Sequence, residues 1–368
     1  MNGKKEGGAG VERTEILKAA VPPLIEWYER NRRTDLPWRK DVTPYRVWIS
    51  EIMLQQTRIE TVIPYYVRFL RRLPDAASLA DVPDDELMKL WEGLGYYSRA
   101  RNLKKAAGIV VAEYGGDLPR TAEQLKRLPG IGDYTAGAIA SIACGEPAPA
   151  VDGNVLRVIA RLTESAEDVT KEKTKKAAAE QLRQVYPSGR TAGLLTEGLM
   201  ELGETVCIPN GTPQCGRCPW NDLCLCRKHG TEAFYPVRTE KKERRAENMT
   251  VLLLERQGTF ALSRRLPSGL LAGLWQLPNV PGEMTKEEVL RAVGSLGLIP
   301  EDCRPAGRSR HLFTHVEWRM TGWHVLCRDV GNTADNGLFW FTPEEIRTGV
   351  ALPSAFRYWR EKITENGD

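Results

Sequence analysis

The sequence predicts a two-part chain: an all-α domain of many short helices, then a charged linker, then a small α+β domain. Three observations predict it. From Arg13 to about Leu202 apolar residues recur at intervals of three and four, with Pro or Gly punctuation at Pro44, Pro64, Pro83, Gly93, Gly95, Gly115, Gly116, Pro119, Pro129 and Pro187. Arg238 to Glu247 then hold five basic and three acidic residues with Ala246 the only apolar one, the composition of a solvated linker. Beyond it the texture becomes strand-like over Val251–Leu254, turns at Gln257-Gly258, and resumes over Thr259–Ser263; a helix follows from Thr285 to Leu296 and a further strand from Trp318 to Cys327. The expected boundaries are a disordered tail over 1–11, a helical domain over 12–235, a linker over 236–247 and the α+β domain over 248–368.

With 368 residues, 42% hydrophobic and 27% charged, each part is long enough to bury a core. No apolar run approaches the roughly 20 residues of a membrane span. Met1 to Gly10 is too rich in Gly and Lys for a signal peptide. The expectation is a cytoplasmic, nucleoid-associated monomer with no membrane partner. A net charge of +4 is mild, so any affinity for nucleic acid must come from a local basic face.

Within the helical part, Thr43 suits an N-cap with Pro44 at the first helical position, and the following residues are apolar nearly all the way round. Glu51 therefore has no polar face to occupy. A lone helical glutamate normally lies on a solvated face, but a carboxyl forced into an apolar wall has its pKa raised and can serve as a general acid.

Further along, Leu128-Pro129-Gly130-Ile131-Gly132-Asp133 places two glycines between a helix ending near Leu128 and another opening near Asp133. Bare backbone amides at a helix N-terminus suit a phosphate. An ordinary αα turn, or a hairpin in a pure binding module, carries the same pattern. Twenty residues past Gly132 stands Asp152, in Val151-Asp152-Gly153-Asn154. Amides at the start of the next helix would favour its ionised form. Two carboxyls with diverging pKa values are what glycosidic bond cleavage uses.

Five of the eight cysteines crowd into twenty residues. Cys207-x7-Cys215-x2-Cys218-x5-Cys224 has one short knuckle and no histidine, which fits a four-thiolate iron–sulfur cluster better than a paired-knuckle zinc site. Cys226 is a spare that could stand in for Cys224. Cys144, Cys303 and Cys327 read as small core residues.

The ordered set of Asp35-Leu36-Pro37-Trp38-Arg39, Glu51 to Thr57, Trp91 to Arg99, the hairpin, Val151 to Asn154, the cysteine cluster and Gly269 to Trp275 resembles the MutY-type adenine DNA glycosylases of the helix-hairpin-helix superfamily. The resemblance covers nearly the whole chain. It implies an enzyme that acts on double-stranded DNA, flips adenine out of a mispair with 8-oxoguanine and hydrolyses its N-glycosidic bond. By the same likeness, Glu51 protonates the adenine, Asp152 steadies the positive charge on the sugar, Asn154 orders the site, and Glu197 contacts the adenine edge. Gln56 and Tyr96 match wedge positions. Trp38 and Leu54 would line the pocket, with ordinary core packing an equal reading, and Arg39 and Thr57 belong to the matching stretches.

Tyr134 stands two residues past Gly132, where sister enzymes that also cut the backbone have a Schiff-base lysine. A phenol forms no Schiff base, so a monofunctional glycosylase is expected. The cysteine loop implies a [4Fe-4S] cluster on Cys207, Cys215, Cys218 and Cys224, with a structural and DNA-docking role that involves Arg217. The second domain resembles a degenerate Nudix domain without the paired acidic residues that hold magnesium. Its Phe313-Thr314-His315 stands where the family has Phe-Ser-His reading the base opposite adenine. Threonine keeps the hydroxyl but adds a methyl and stiffens χ1. Two other readings remain: a bifunctional oxidised-pyrimidine glycosylase, and a non-catalytic iron–sulfur DNA-binding protein.

Overall fold

The computed structural model describes residues 5–239, 244–328 and 337–365, with side chains from Arg13 onward. The chain divides into two compact bodies, Met1–Asp81 with Arg101–Glu240, and Val82–Ala100 with Lys241–Asp368. Part of the expected linker, 240–243, lies outside the described residues.

The first body is helical among the described residues. Its opening helix spans Lys5–Asn31, so 5–11, expected as a disordered tail, instead continues a helix; 1–4 lie outside the described residues. The physical reason is that Leu17, Ala20 and Leu24 are buried in the core, and extending a helix already anchored is far easier than nucleating one. Pro64, expected as punctuation, lies inside the Ile59–Arg72 helix, whose Val62, Tyr66 and Phe69 are buried and hold it through the lost hydrogen bond.

Four helices build the wall that matters. The Pro44–Leu54 helix begins as its sequence dictates, with Thr43 accepting from the Arg46 amide and Pro44 in the first turn, and it buries every residue from Val47 to Met53. It packs on the Asp133–Cys144 helix, which also meets the Arg190–Thr205 helix. Gly137 on this helix lets the following chain segment pass close, since a Cβ would stand 2.3 Å from the Pro149 carbonyl oxygen. The Gly153–Leu162 helix, buried from Val155 to Leu162, fits between the Arg190–Thr205 helix and the cysteine loop, where Leu195, Leu199, Leu202 and Trp220 complete its core. Burying each such leucine contributes roughly 1.5–3 kcal/mol.

The second body carries a seven-stranded sheet: β1 (Arg245–Arg256), β2 (Thr259–Arg264), β3 (Trp275–Gln276), β4 (Asn279–Pro281), β5 (Ile299–Leu312), β6 (Val316–Arg328) and β7 (Leu338–Phe341). Strand order is β3-β2-β1-β6-β5, with β1 and β6 parallel, β4 pairing β1 and β7 pairing β2. Gln257 and Gly258 both take positive φ, as a tight turn between twisted strands requires. The Lys286–Ser295 helix opens on a Thr285–Glu288 capping box. One face of the sheet packs on Phe356, Trp359 and Ile363, the other on Val289 and Val293.

Candidate active site

Glu51, Tyr134, Asp152, Asn154 and Glu197 line one cavity of about 170 Å³ in the helical body, together with Trp38, Arg39, Leu54, Thr57, Arg33, Met200 and Glu201. Residues separated by 168 positions are brought together, and Glu51 points from one buried helix toward the start of two others. Asp152 is the N-cap of the Gly153–Leu162 helix, its Oδ1 accepting from the Val155 amide at 2.8 Å. Asn154, in the first turn, accepts from Arg157 at 3.0 Å. Tyr134 lies in the first turn of the Asp133–Cys144 helix.

Glu51 is 6% exposed. Burial raises its carboxyl to about 7, against a lowering hydrogen bond from Tyr134; the nearby charges of Asp152 and Glu197 raise it further. The Tyr134 phenol is itself pushed well up by burial and by Glu51, so it stays a neutral hydrogen-bonding partner. Asp152 differs from the sequence expectation of a carboxyl held low by amides. The amides of Val155 and Asn154 and the charge of Arg157 do lower it, yet burial outweighs them and the net direction is upward. Amide compensation remains the distinction between the two carboxyls: Asp152 has it and Glu51 does not.

At the hairpin, Gly130 takes φ +80, where an added Cβ would sit 2.8 Å from the Asn102 Cβ. Gly132 is different: it caps the Asp133–Cys144 helix in extended conformation, and a Cβ there would meet nothing within 4 Å. Nothing inside the fold demands a glycine at 132, which leaves the outside, where a phosphate would approach.

Gln56 and Tyr96 line no part of the cavity. Both are exposed non-glycine residues with positive φ, 56° and 46°, a left-handed conformation that costs strain in a residue with a side chain. Tyr96 belongs with the C-terminal body, where its hydroxyl lies 2.8 Å from Thr314 Oγ1. Thr314 and His315 are exposed at the tip between β5 and β6, and Phe313 is packed edge-on against Trp318 and His311.

Cys207, Cys215, Cys218 and Cys224 line one small pocket walled by Val158, Leu162, Leu202, Val206 and Trp220. Arg161 donates to Cys207 Sγ at 3.4 Å and the Trp220 amide to Cys218 Sγ at 3.4 Å. Cys226, the spare, is fully buried and lines no part of it. Among the described residues no group of three His, Cys, Asp or Glu is drawn close enough to hold a single ion. A four-iron cubane interposes its own sulfides and so keeps its thiolates further apart than one ion would. The four-cysteine pocket with N–H donors on sulfur fits that group.

Comparison with known proteins gives the lineage. Residues 49–184 match the model of the HhH-GPD superfamily of base excision DNA repair proteins, and residues 249–362 match the NUDIX domain. The adenine DNA glycosylase of Mus musculus is 33% identical over 97% of this chain and 84% of its own length, and that of Homo sapiens 33% over 92% and 73%. The chain belongs to the adenine DNA glycosylase family. It is accordingly a DNA glycosylase, a hydrolase of N-glycosyl bonds, with a helical HhH-GPD domain and a C-terminal Nudix-like domain. Among solved structures, a thermostable thymine-DNA glycosylase superposes with TM-score 0.52 at 30% identity, over 58% of this chain and 98% of that one. A trapped endonuclease III–DNA intermediate, 23% identical with TM-score 0.50 over 59% and 98%, shares the fold. No helix among the described residues is long and apolar enough to cross a membrane.

Sequence reasoning missed Arg33, Glu201 and Met200 in the cavity wall. The signal for Glu201 was present. Two glutamates one turn apart, Glu197 and Glu201, stand among Leu194, Leu195, Gly198, Leu199 and Leu202, so both had to be buried and paired.

Proposed function

We propose that this glycosylase removes adenine from mispairs with 8-oxoguanine in duplex DNA, acting as a monofunctional hydrolase. The observation that carries the reading is the shared cavity, in which a carboxyl raised to about 7 and a helix-capping carboxyl line the same wall. Glu51 delivers its proton to N7 of the extruded base. The C1′–N9 bond then breaks with its electrons passing to the neutral leaving adenine, and Asp152 stabilises the oxocarbenium-like sugar until water adds to C1′ and gives up a proton to the carboxylate left on Glu51. Asn154 holds the cap region through Arg157. Glu197, with Arg39, offers an acceptor and a donor to the edge of adenine, while Trp38, Leu54 and Thr57 give the pocket its walls.

Gln56 and Tyr96 are the wedges that fill the vacated stack, and Gly130 and Gly132 bring the hairpin amides to a phosphate. Tyr134 has no amine, so no Schiff base forms and the backbone stays intact. In the C-terminal body Phe313, Thr314 and His315 face the opposite base; the contact of Thr314 with Tyr96 supports reading and wedging as one action. Cys207, Cys215, Cys218 and Cys224 would hold a [4Fe-4S] cluster, which supplies a four-point cross-link that orders the loop carrying Arg217. The enzyme works as a monomer.

The test is a panel of duplexes with adenine opposite 8-oxoguanine, guanine, thymine and cytosine, scored by strand scission after alkali. Scission with adenine opposite 8-oxoguanine, together with no covalent adduct on borohydride treatment, is the expected outcome. Scission without alkali, or a trapped adduct, would replace this reading by the lyase.

A further inference from the structure

Glu201 lies on the Arg190–Thr205 helix one turn beyond Glu197 and is 1% exposed. Both of its oxygens are taken. Arg33 donates Nε to Oε1 at 2.6 Å and Nη2 to Oε2 at 3.0 Å, and Arg39 donates Nη2 to Oε2 at 2.7 Å. The other terminal nitrogen of Arg39 donates to the Arg33 carbonyl at 3.0 Å. This leaves Arg39 Nε facing Glu197 at 3.7 Å, with the guanidinium 5.5 Å over the Tyr28 ring. All four charged groups line the cavity that holds Glu51 and Asp152.

Two carboxylates one turn apart in a dry wall repel each other, and two interleaved guanidiniums offset that repulsion. The offset does more than neutralise. A long arginine side chain loses several torsions when fixed, and it keeps one orientation only where its nitrogens are spoken for. Here Glu201 and the Arg33 carbonyl hold both terminal nitrogens, and the remaining N–H edge is aimed at Glu197.

We propose that Glu201 is a positioning residue: it locks the guanidinium of Arg39 with its Nε against Glu197, so that Glu197 presents one fixed acceptor edge to the extruded base. The proposal rests on the base-release reading above. Glu201 itself touches neither the base nor the sugar; it acts through Arg39.

A double-mutant cycle tests it, with Glu201→Gln, Arg39→Met and the pair, on a duplex with adenine opposite 8-oxoguanine. Two quantities are read: Kd, measured on the same duplex with a cleavage-resistant 2′-fluoro adenosine, and the single-turnover rate of adenine release. Glu201→Gln is expected to leave Kd within about threefold while slowing release at least about tenfold, and to add less than about threefold once Arg39 is already Met. Equal slowing in both backgrounds would mean that Glu201 acts independently of Arg39, and release at the wild-type rate would mean that it fixes nothing; either overturns the lock. Should Glu201→Gln fail to fold, Glu201→Asp, which retains the charge, goes through the same cycle, and the same two results would overturn the lock. If the wild-type chain releases no adenine, the base-release reading fails; if the wild-type rate is robust and the cycle is multiplicative, only the lock fails.

Discussion

Glu51 ties rate and stability to the same proton. Its ordinary value is 4.5 and its folded value about 7. Between those values the unfolded chain has released a proton that the folded chain retains, so stability falls as pH rises across that window and stays low above it. A rise of this size is worth roughly 3 kcal/mol. Glu51→Gln should therefore raise the melting temperature at pH 8 more than at pH 5; equal shifts at both pH values would show that folding does not raise the carboxyl. Catalysis falls in the same direction. A general acid must be protonated, so adenine release at subsaturating DNA should decline as pH rises past about 7. At Asp152, cap and chemistry separate. Asparagine caps a helix as well as aspartate does, and folding already pushes the Asp152 carboxyl up, so Asp152→Asn should melt at or above the wild-type temperature near pH 7 yet lose release by orders of magnitude. A stability loss of the same rank as the activity loss would mean that Asp152 is structural alone.

At the scale of elements, the two hairpin glycines predict different outcomes. Gly130 has positive φ and a blocked Cβ position, so Gly130→Ala should destabilise the fold by about 1–2 kcal/mol. Gly132 has neither constraint. Gly132→Ala should melt like wild type and bind duplex DNA more weakly, as measured by fluorescence anisotropy; unchanged affinity would remove the hairpin from the DNA surface.

These elements also show what a sequence discloses. The Pro44–Leu54 helix was legible because cap, proline and an apolar circumference agree, and the Lys286–Ser295 helix because of its capping box. Strand β5 was not. Its Pro300, Pro305 and Gly307 and its run of charges look like loop, and it is tolerable as a strand because it lies at the sheet edge, with register shifts beside both prolines. The parallel pairing of β1 with β6 was equally hidden, since no local pattern encodes which distant strand is the neighbour. Within the site, Glu51 betrayed itself by lacking a polar face; Arg39 was reached only through the family resemblance, and Arg33, whose partner lies 168 residues away, was not reached at all.

For the whole molecule, the grouping of Val82–Ala100 with the C-terminal body is the feature least visible in the sequence. It is held there by a half-buried polar knot: Glu92 accepts from the Leu352 amide at 2.9 Å and pairs with Arg360 and Lys89, and Lys89 donates to the carbonyls of Arg347 and Val350. The loop with Tyr96 thus moves with Thr314. Arg217, exposed between two of the cysteines, should contribute one phosphate contact, so Arg217→Ala should lower the slope of log Kd against log salt by about one; an unchanged slope would detach the cysteine loop from DNA.

On the proposed function, a neutral carboxyl at position 51 donates the proton that releases the base. Single-turnover release of adenine by Glu51→Gln, with enzyme in excess over a duplex bearing adenine opposite 8-oxoguanine, isolates this step. Release should vanish while the duplex is bound as tightly as by wild type, and release at the wild-type rate would contradict proton donation by Glu51.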